Sequence, residues 1–341
     1  MVELIITKIS LYNESIIKTP KAMKKITNIL VITILCLVVQ AQEPVLSPRL
    51  KAYYRIKMEM NNLYSEFSWA GNRTKDTVAM REILARYEEN RQRLQQFPEY
   101  FRPSWDARNY ADMLAVFGRY AEAVALYDTA FYHRQMEAYD FNLPYRRAYF
   151  AGDTLLHQRK LVEYQQAECG LYSYNEWQVR RKLWELQQMD QMAIKLSDLP
   201  GLDHELEVRM LAFKDSILKA SIAQLRADYP EIEDVLSLDF FAKFLLGRHL
   251  YSADPDYWFE VEYPRSRKLL ESGQGSPESY AHTYDFYLVR TGKGKSYYGQ
   301  YGCSDDLTPA DTAEINRHRA DIGLEPLEAE RRDKNVIYIT Y

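Results

Sequence analysis

From Leu50 onward, apolar side chains recur mostly every three or four positions, and that period restricts the fold more than any other feature. A chain patterned this way forms helices that each bury one face against a neighbour. Lys51 to Phe67 carries Tyr54, Ile56, Met58, Leu63 and Phe67 among charges. Thr77 to Phe97 carries Val78, Ile83, Leu84, Tyr87, Leu94 and Phe97 before Pro98 stops it. Pro103-Ser104 opens the next helix, with Ser104 as its expected N-cap. Further on, helices are expected over Asn175 to Leu196, His204 to Tyr229, Ile232 to Leu250, Asp254 to Leu270 and Glu278 to Val289. The third of these has the apolar set Val235, Leu238, Phe241, Phe244 and Leu245. A Gly- and Tyr-rich loop over 290–313, a short helix from Asn316 to Ile322 and a strand-like tail from Val336 to Tyr341 complete an all-α plan.

The clearest local motif is Asp106 to Phe117, then Gly118-Arg119-Tyr120, then Ala121 to Tyr132. Two short helices meet at a glycine, and small residues at Ala111 and Ala123 let them cross closely. Tyr127 and Ala130 fall at the spacing of the second helix of a tetratricopeptide unit, and Tyr164 and Ala167 repeat them 37 residues on. Gln135 stands where that repeat has its proline. Residues 42–170 therefore look tetratricopeptide-like, an array of helical hairpins, with a generic helical bundle as the alternative. Cys169-Gly170 marks the expected boundary to a helical-bundle domain over 171–330, followed by a tail over 331–341. Two domains also suit a length of 341 residues.

The N-terminus carries an address. Lys24-Lys25, the apolar run Ile29 to Val39, and Val39-Gln40-Ala41 make a signal peptide over 23–41, with Gln42 as the expected mature N-terminus. Residues 1–22 then read as a start-site error ahead of Met23. The run is too short for a transmembrane span, which needs roughly 20 apolar residues. A lipid anchor on Cys36 is disfavoured by Leu35 in front of it. A periplasmic or secreted protein is the expectation. Its mature part has 39 Lys and Arg against 46 Asp and Glu, a balance of −7, with no basic stripe to suit nucleic acid. Cys169 and Cys303 remain and could pair in an oxidising compartment. The 28 tyrosines suit rings buried with their hydroxyls at the rim, or else an aromatic binding groove.

Residues from about 186 to 330 resemble a bacterial domain family of unknown function, the domain of unknown function 6624 family. Its pattern runs Asp-Gln, a helix with Asp, Gln-His, a Gly-rich break, Asp-Arg, Tyr-Gly-Thr-Gln and Arg-x-x-x-Gly-Leu-x-Pro-Leu. Here Asp190-Gln191, Asp215-Ser216, His249, Gly273 to Gly275, Asp285, Tyr298-Gly299-Gln300 and Arg319 to Leu327 stand in that order. Arg248, Phe286 and Tyr301 depart from it, and Thr is missing between Gly299 and Gln300. The resemblance implies export and a helical fold, and no activity.

On their own chemistry, Asp190, Asp215, His249 and Asp285 fall on different helices. If they converge they form an acid–base pair, and His249, His282 and Asp285 would be a weak zinc set. Gln191, Tyr298, Gly299 and Gln300 are the binding candidates beside them. The competing reading is a set of buried polar groups that satisfy one another, with Tyr298 capping its loop. His249 ends an apolar helix, so its ring is expected to bond the last carbonyls there. No G-x-S-x-G, P-loop or Rossmann glycine pattern occurs, and Gly292-Lys293-Gly294-Lys295 lacks the flanking strand and helix of a phosphate loop. No cofactor is implied. The expected function is a cell-envelope interaction protein with a protein or peptide partner. The rival is a hydrolase working through His249 with Asp285 and Asp215.

Overall fold

The computed structural model describes residues 43–71, 76–197, 199–232, 234–239, 242–247, 249–250, 254–302 and 307–327. The expected signal peptide, Arg248, Cys303 and the expected strand-like tail lie outside them. The chain divides between Val45 and Leu46, and of the first unit only Glu43 to Val45 are described, without regular structure. The second unit is all-helical, with 12 α-helices and no strand among the described residues. None of these helices is long and apolar enough to cross a membrane.

Helix α1 (Pro48–Trp69) starts on Ser47, whose hydroxyl accepts from Leu50 N–H, and has Pro48 in its first turn. It packs against α2 (Thr77–Leu94), which Asp76 caps through the N–H groups of Val78 and Ala79. Helix α3 (Ala107–Val116) and α4 (Tyr120–Tyr132) form the second hairpin, turning at Gly118 with φ +73°. Ala111, Ala123 and Ala130 are fully buried in it. Ser104 caps nothing here. The chain turns through 103–106 and the helix begins at Ala107, because the Asp106 carboxylate is turned away to accept from Arg91 Nε at 2.9 Å.

After α4 the hairpin pattern breaks into two short helices, α5 (Ala138–Phe141) and α6 (Pro144–Tyr149), before α7 (Thr154–Glu168). A buried ion pair holds this segment. Arg146 donates through Nε and Nη2 to both oxygens of Asp112, at 2.8 and 3.1 Å, and through Nη1 to Asp140 O. Tyr64 and Tyr127 hydroxyls donate to the same carboxylate at 2.8 and 2.5 Å, so its charge is fully compensated. Tyr164 likewise donates to Asp128 at 2.8 Å. Tyr127 and Tyr164 bury whole rings and spend their hydroxyls on carboxylates, where the sequence led one to expect hydroxyls left at the rim.

Helices α8 (Tyr174–Ser197) and α9 (His204–Asp228) form a long hairpin, turning through Gly201 with φ +83°. Of the helix expected over Ile232 to Leu250, the described residues show a 3-10 turn at Val235–Leu238, then a π-helical turn at Ala242–Leu246 that passes into α-helix at 247 and 249–250. Asp239 separates them. Its backbone is extended, and its carboxylate accepts from Ala242 N–H at 2.8 Å and Gln187 Nε2 at 2.9 Å, which starts a new turn rather than continuing the old one. Beyond lie α10 (Pro255–Glu271), α11 (Pro277–Arg290) and α12 (Pro309–Asp321). The last is longer than the expected Asn316 to Ile322, because Thr308 and Asp311 form a reciprocal capping box ahead of it.

Two apolar cores result. The first draws on α1 to α7, then resumes with Tyr263, Leu270, Tyr280, Tyr287, Tyr298 and Ile322 from the last three helices and the loop between them. The second is built from α8, α9 and the turns before Leu250. The sequence boundary at 170 thus marks where the chain leaves the first core, but the chain returns to it after 254. Direct bonds join the two ends of that core: Tyr54 hydroxyl to Leu270 O at 2.6 Å and Leu46 N–H to Asp321 O at 2.8 Å. Lys57, buried against the rings of Tyr53, Tyr54 and Trp105, donates to Gly275 O at 2.9 Å.

Candidate functional site

Within the α8–α9 hairpin the inward stripe of α8 is Val179, Leu183, Leu186 and Asp190, and that of α9 is Lys214, Leu218, Ile222 and Leu225. Each stripe ends in a charge, and the two charges meet. Asp190, with no exposed surface, accepts from Lys214 Nζ at 3.0 Å and from His249 Nδ1 at 2.6 Å, both on Oδ1. Gln191 Nε2 donates to the other oxygen at 3.0 Å, and Lys214 also pairs with Asp215 at 3.0 Å. Burial works against the Asp190 anion, but the bonds from His249 and Lys214 outweigh it and hold the carboxyl below its usual range. Three of the four acid–base candidates, Asp190, Asp215 and His249, are therefore together.

Among the described residues the bond of the His249 ring goes to Asp190, not to the last carbonyls of its helix. Its Nδ1 is committed to Asp190, and the ring keeps 22% of its surface exposed. A carboxylate holding Nδ1–H fixes the tautomer and presents Nε2 as the basic nitrogen. Chemically the arrangement can do two things. It can latch the helical residues after the π-helical segment onto α8, or it can set an imidazole to take a proton from water.

Asp285 belongs elsewhere. It lies in the first core with no exposed surface, and it organises the loop after α11. Its Oδ1 accepts from the N–H groups of Tyr297 and Tyr298 at 2.6 and 2.9 Å. Its Oδ2 accepts from Ser296 Oγ and Gln300 N–H, both at 2.7 Å, and from Tyr301 N–H at 3.4 Å. A carboxylate so fully claimed by amides is a scaffold for the loop and has no lone pair to spare for an imidazole. From the other side the buried Arg319 donates to Tyr298 O at 2.9 Å and to Glu325 O at 2.6 Å. Gly299 has φ +70°, and a Cβ there would come within 3.2 Å of Ile315 and Leu327. Tyr298, Gly299, Gln300 and the Arg319–Leu327 stretch are thus one interlocked loop. The expected pairing of His249 with Asp285 is not formed, since every acceptor position on Asp285 faces this loop. His282 packs edge-on against Tyr301 with ring centroids 5.5 Å apart. Among the described residues no three His, Cys, Asp or Glu side chains gather as a metal would need. An open cavity of about 620 Å3 adjoins the same loop, lined by Lys295, Tyr297, Glu314 and His318 among others. Cys169 is exposed, and Cys303 lies outside the described residues.

Beyond the Asp190–Lys214 level the hairpin has no core. From Gln191 to Phe213 no described residue is buried. Large apolar side chains stand in water there: Met192, Leu196, Leu199, Leu206, Val208 and Phe213, with Met192 62% and Phe213 69% exposed. Two helices alone cover only the faces they turn to each other, so the outer faces of this arm are left bare. Sequence reasoning missed Lys214 and the arm. The signal for Lys214 is its place on an otherwise apolar stripe, four residues before Leu218.

Compared with protein-family models, with curated proteins and with solved structures, the chain matches none.

Proposed function

We propose that the chain is an exported interaction protein of the cell envelope that works by docking a protein or peptide partner. One observation carries this reading: the α8–α9 arm from Gln191 to Phe213 buries none of its described residues and exposes a run of large apolar side chains. Contiguous apolar surface of this kind on a water-exposed element is the mark of a docking surface. The tetratricopeptide-like hairpins and the resemblance of the C-terminal half to a family of exported domains are in keeping with it. The test is site-specific photocrosslinking from Met192 and Phe213 in envelope extract. The expected result is a discrete adduct that disappears in a Leu196→Asp chain. Crosslinking that is absent, or indifferent to that substitution, would count against the proposal.

A second reading, an envelope hydrolase acting through His249, has the Asp190–His249 bond in its favour. In that reading Asp190 orients the ring, Nε2 takes a proton from water, and Asp285 has no part. Hydrolysis of activated ester or phosphate substrates that is lost in His249→Gln at unchanged melting temperature would support it. Equal turnover by both chains would dismiss it.

A further inference from the structure

The bare faces of the arm have a period. Met192, Leu196 and Leu199 are spaced four and three apart at the end of α8 and the start of the turn, and Leu206 and Phe213 are seven apart on α9. Apolar residues at three-four-seven spacing form the narrow seam of helix-on-helix packing rather than the broad stripe of a helix lying on a sheet or a globular core. Both helices of the hairpin carry such a seam, so the arm offers two adjacent ridges and calls for a partner that also has helices to lay along them.

The charges have a direction as well. Around the tip the carboxylates of Asp203, Glu205 and Glu207 outnumber Lys195 and Arg209, the latter pairing with Glu205 and His204 lying beside Glu207. Around the root, Arg181, Lys182 and Lys219 stand exposed, balanced in part by Glu185 and by Asp254 from the neighbouring segment. An acidic tip is the wrong sign for an anionic lipid surface, which attracts Lys and Arg. Root and tip are separated by about 20 Å along α8, at about 1.5 Å per residue. A two-fold axis near the level of Met192 and Phe213 brings each acidic tip beside the other copy's basic root, and it sets Leu196 and Leu199 of one copy at the level of the exposed Trp184 of the other.

We propose that the arm docks on the arm of a second copy of this chain, tip to root, so that two hairpins complete an antiparallel four-helix bundle. This rests on the arm being a docking surface and names its occupant. The apolar side chains that meet across that axis and the opposed charges of tip and root carry it. Neither the Asp190–His249 latch nor the first core takes part, so the contact is separable from folding.

The experiment is sedimentation equilibrium on the mature full-length chain, with circular dichroism as the check of folding. The native chain is expected to sediment as a dimer, and Leu196→Asp with Phe213→Asp as a folded monomer, since both side chains are already exposed. Glu205→Lys with Glu207→Lys is expected to weaken the dimer about tenfold or more. Adding Arg181→Glu and Lys182→Glu to that chain should restore it, because the two-fold axis puts the swapped charges opposite one another. A native chain that stays monomeric at every concentration overturns the proposal, and so does a dimer indifferent to the Leu196 and Phe213 substitutions. A monomer whose arm still forms the crosslinked adduct in envelope extract leaves the docking reading standing while this one falls. A monomer whose arm instead holds it to zwitterionic vesicles also overturns the second copy as occupant.

Discussion

At the scale of the residue, the polar groups of the C-terminal half sort by what surrounds them. His249 is bonded to an anion that already has Lys214 and Gln191, so removing the ring does not strand Asp190. The His249→Ala chain is expected to lose about 1.5–3 kcal/mol, the worth of one hydrogen bond to a charged group, seen as a lower urea midpoint. An unchanged midpoint would remove the latch role. Glu137 makes a different forecast. It sits where α7 and α8 approach, 3.0 Å from Arg180, yet burial raises its carboxyl to about 7. The folded chain therefore holds a proton that the unfolded chain, with an ordinary carboxyl near about 4.3, has released. Across that window stability falls as pH rises, because the native state binds more protons than the unfolded one. Glu137→Gln has no such proton, so its melting temperature should fall less than that of the native chain between about pH 5 and pH 7.5. Equal slopes in paired thermal melts would refute this account. Some of this scale is legible in sequence. Asp190 and Lys214 are charges on apolar stripes, and a partner for each can be expected. That Asp285 serves its own loop is not legible, since nothing in the spacing from 285 to 301 says that five donors will turn toward one carboxylate.

At the scale of the element, helical period and start signals make most of the helices legible. Proline or a capping side chain marks the beginnings of α1, α2, α11 and α12. The failures have a common physical form, in which a short polar side chain competes with the helix for backbone groups. Asp239 does so inside the expected Ile232–Leu250 helix, and Thr308 with Asp311 lengthens α12. Glycine turns allow a comparison. Gly118 and Gly273 both have left-handed backbones, at φ +73° and +79°, but a Cβ at Gly118 meets nothing within 4 Å. At Gly273 it would lie 2.9 Å from Tyr100 Cβ. Gly118→Ala should cost about 1–2 kcal/mol, the strain of the backbone alone. Gly273→Ala should cost more, since α10 and Tyr100 must also part. Urea unfolding of the two chains checks this, and equal losses would sink it.

At the scale of the whole molecule, the core assignment departs most from what periodicity offers. Period is a local signal, and the bond from Tyr54 to Leu270 spans 216 positions. The turn at Cys169-Gly170 is readable as a change of element but not as the start of an insertion whose far end returns the chain to where it began. Cutting at that boundary is therefore expected to leave neither half folded. The fragment 42–170 lacks Leu270, Tyr280 and Tyr298 from its core and should melt without a cooperative transition by circular dichroism. A sharp, reversible transition in that fragment would return the boundary to residue 170.

The long closure also sets a clock. Nascent chains lengthen at about 5–20 residues per second, so α1 waits roughly 10–40 s for Leu270 to be made. Through that interval Tyr54 and Lys57 lack the Leu270 and Gly275 carbonyls that their polar ends bond in the finished fold. The intermediate is a sticky, half-finished hairpin array whose lifetime is dictated by the ribosome and not by its own stability. A chain wired in this way has to be escorted, or kept extended, until its last helices arrive.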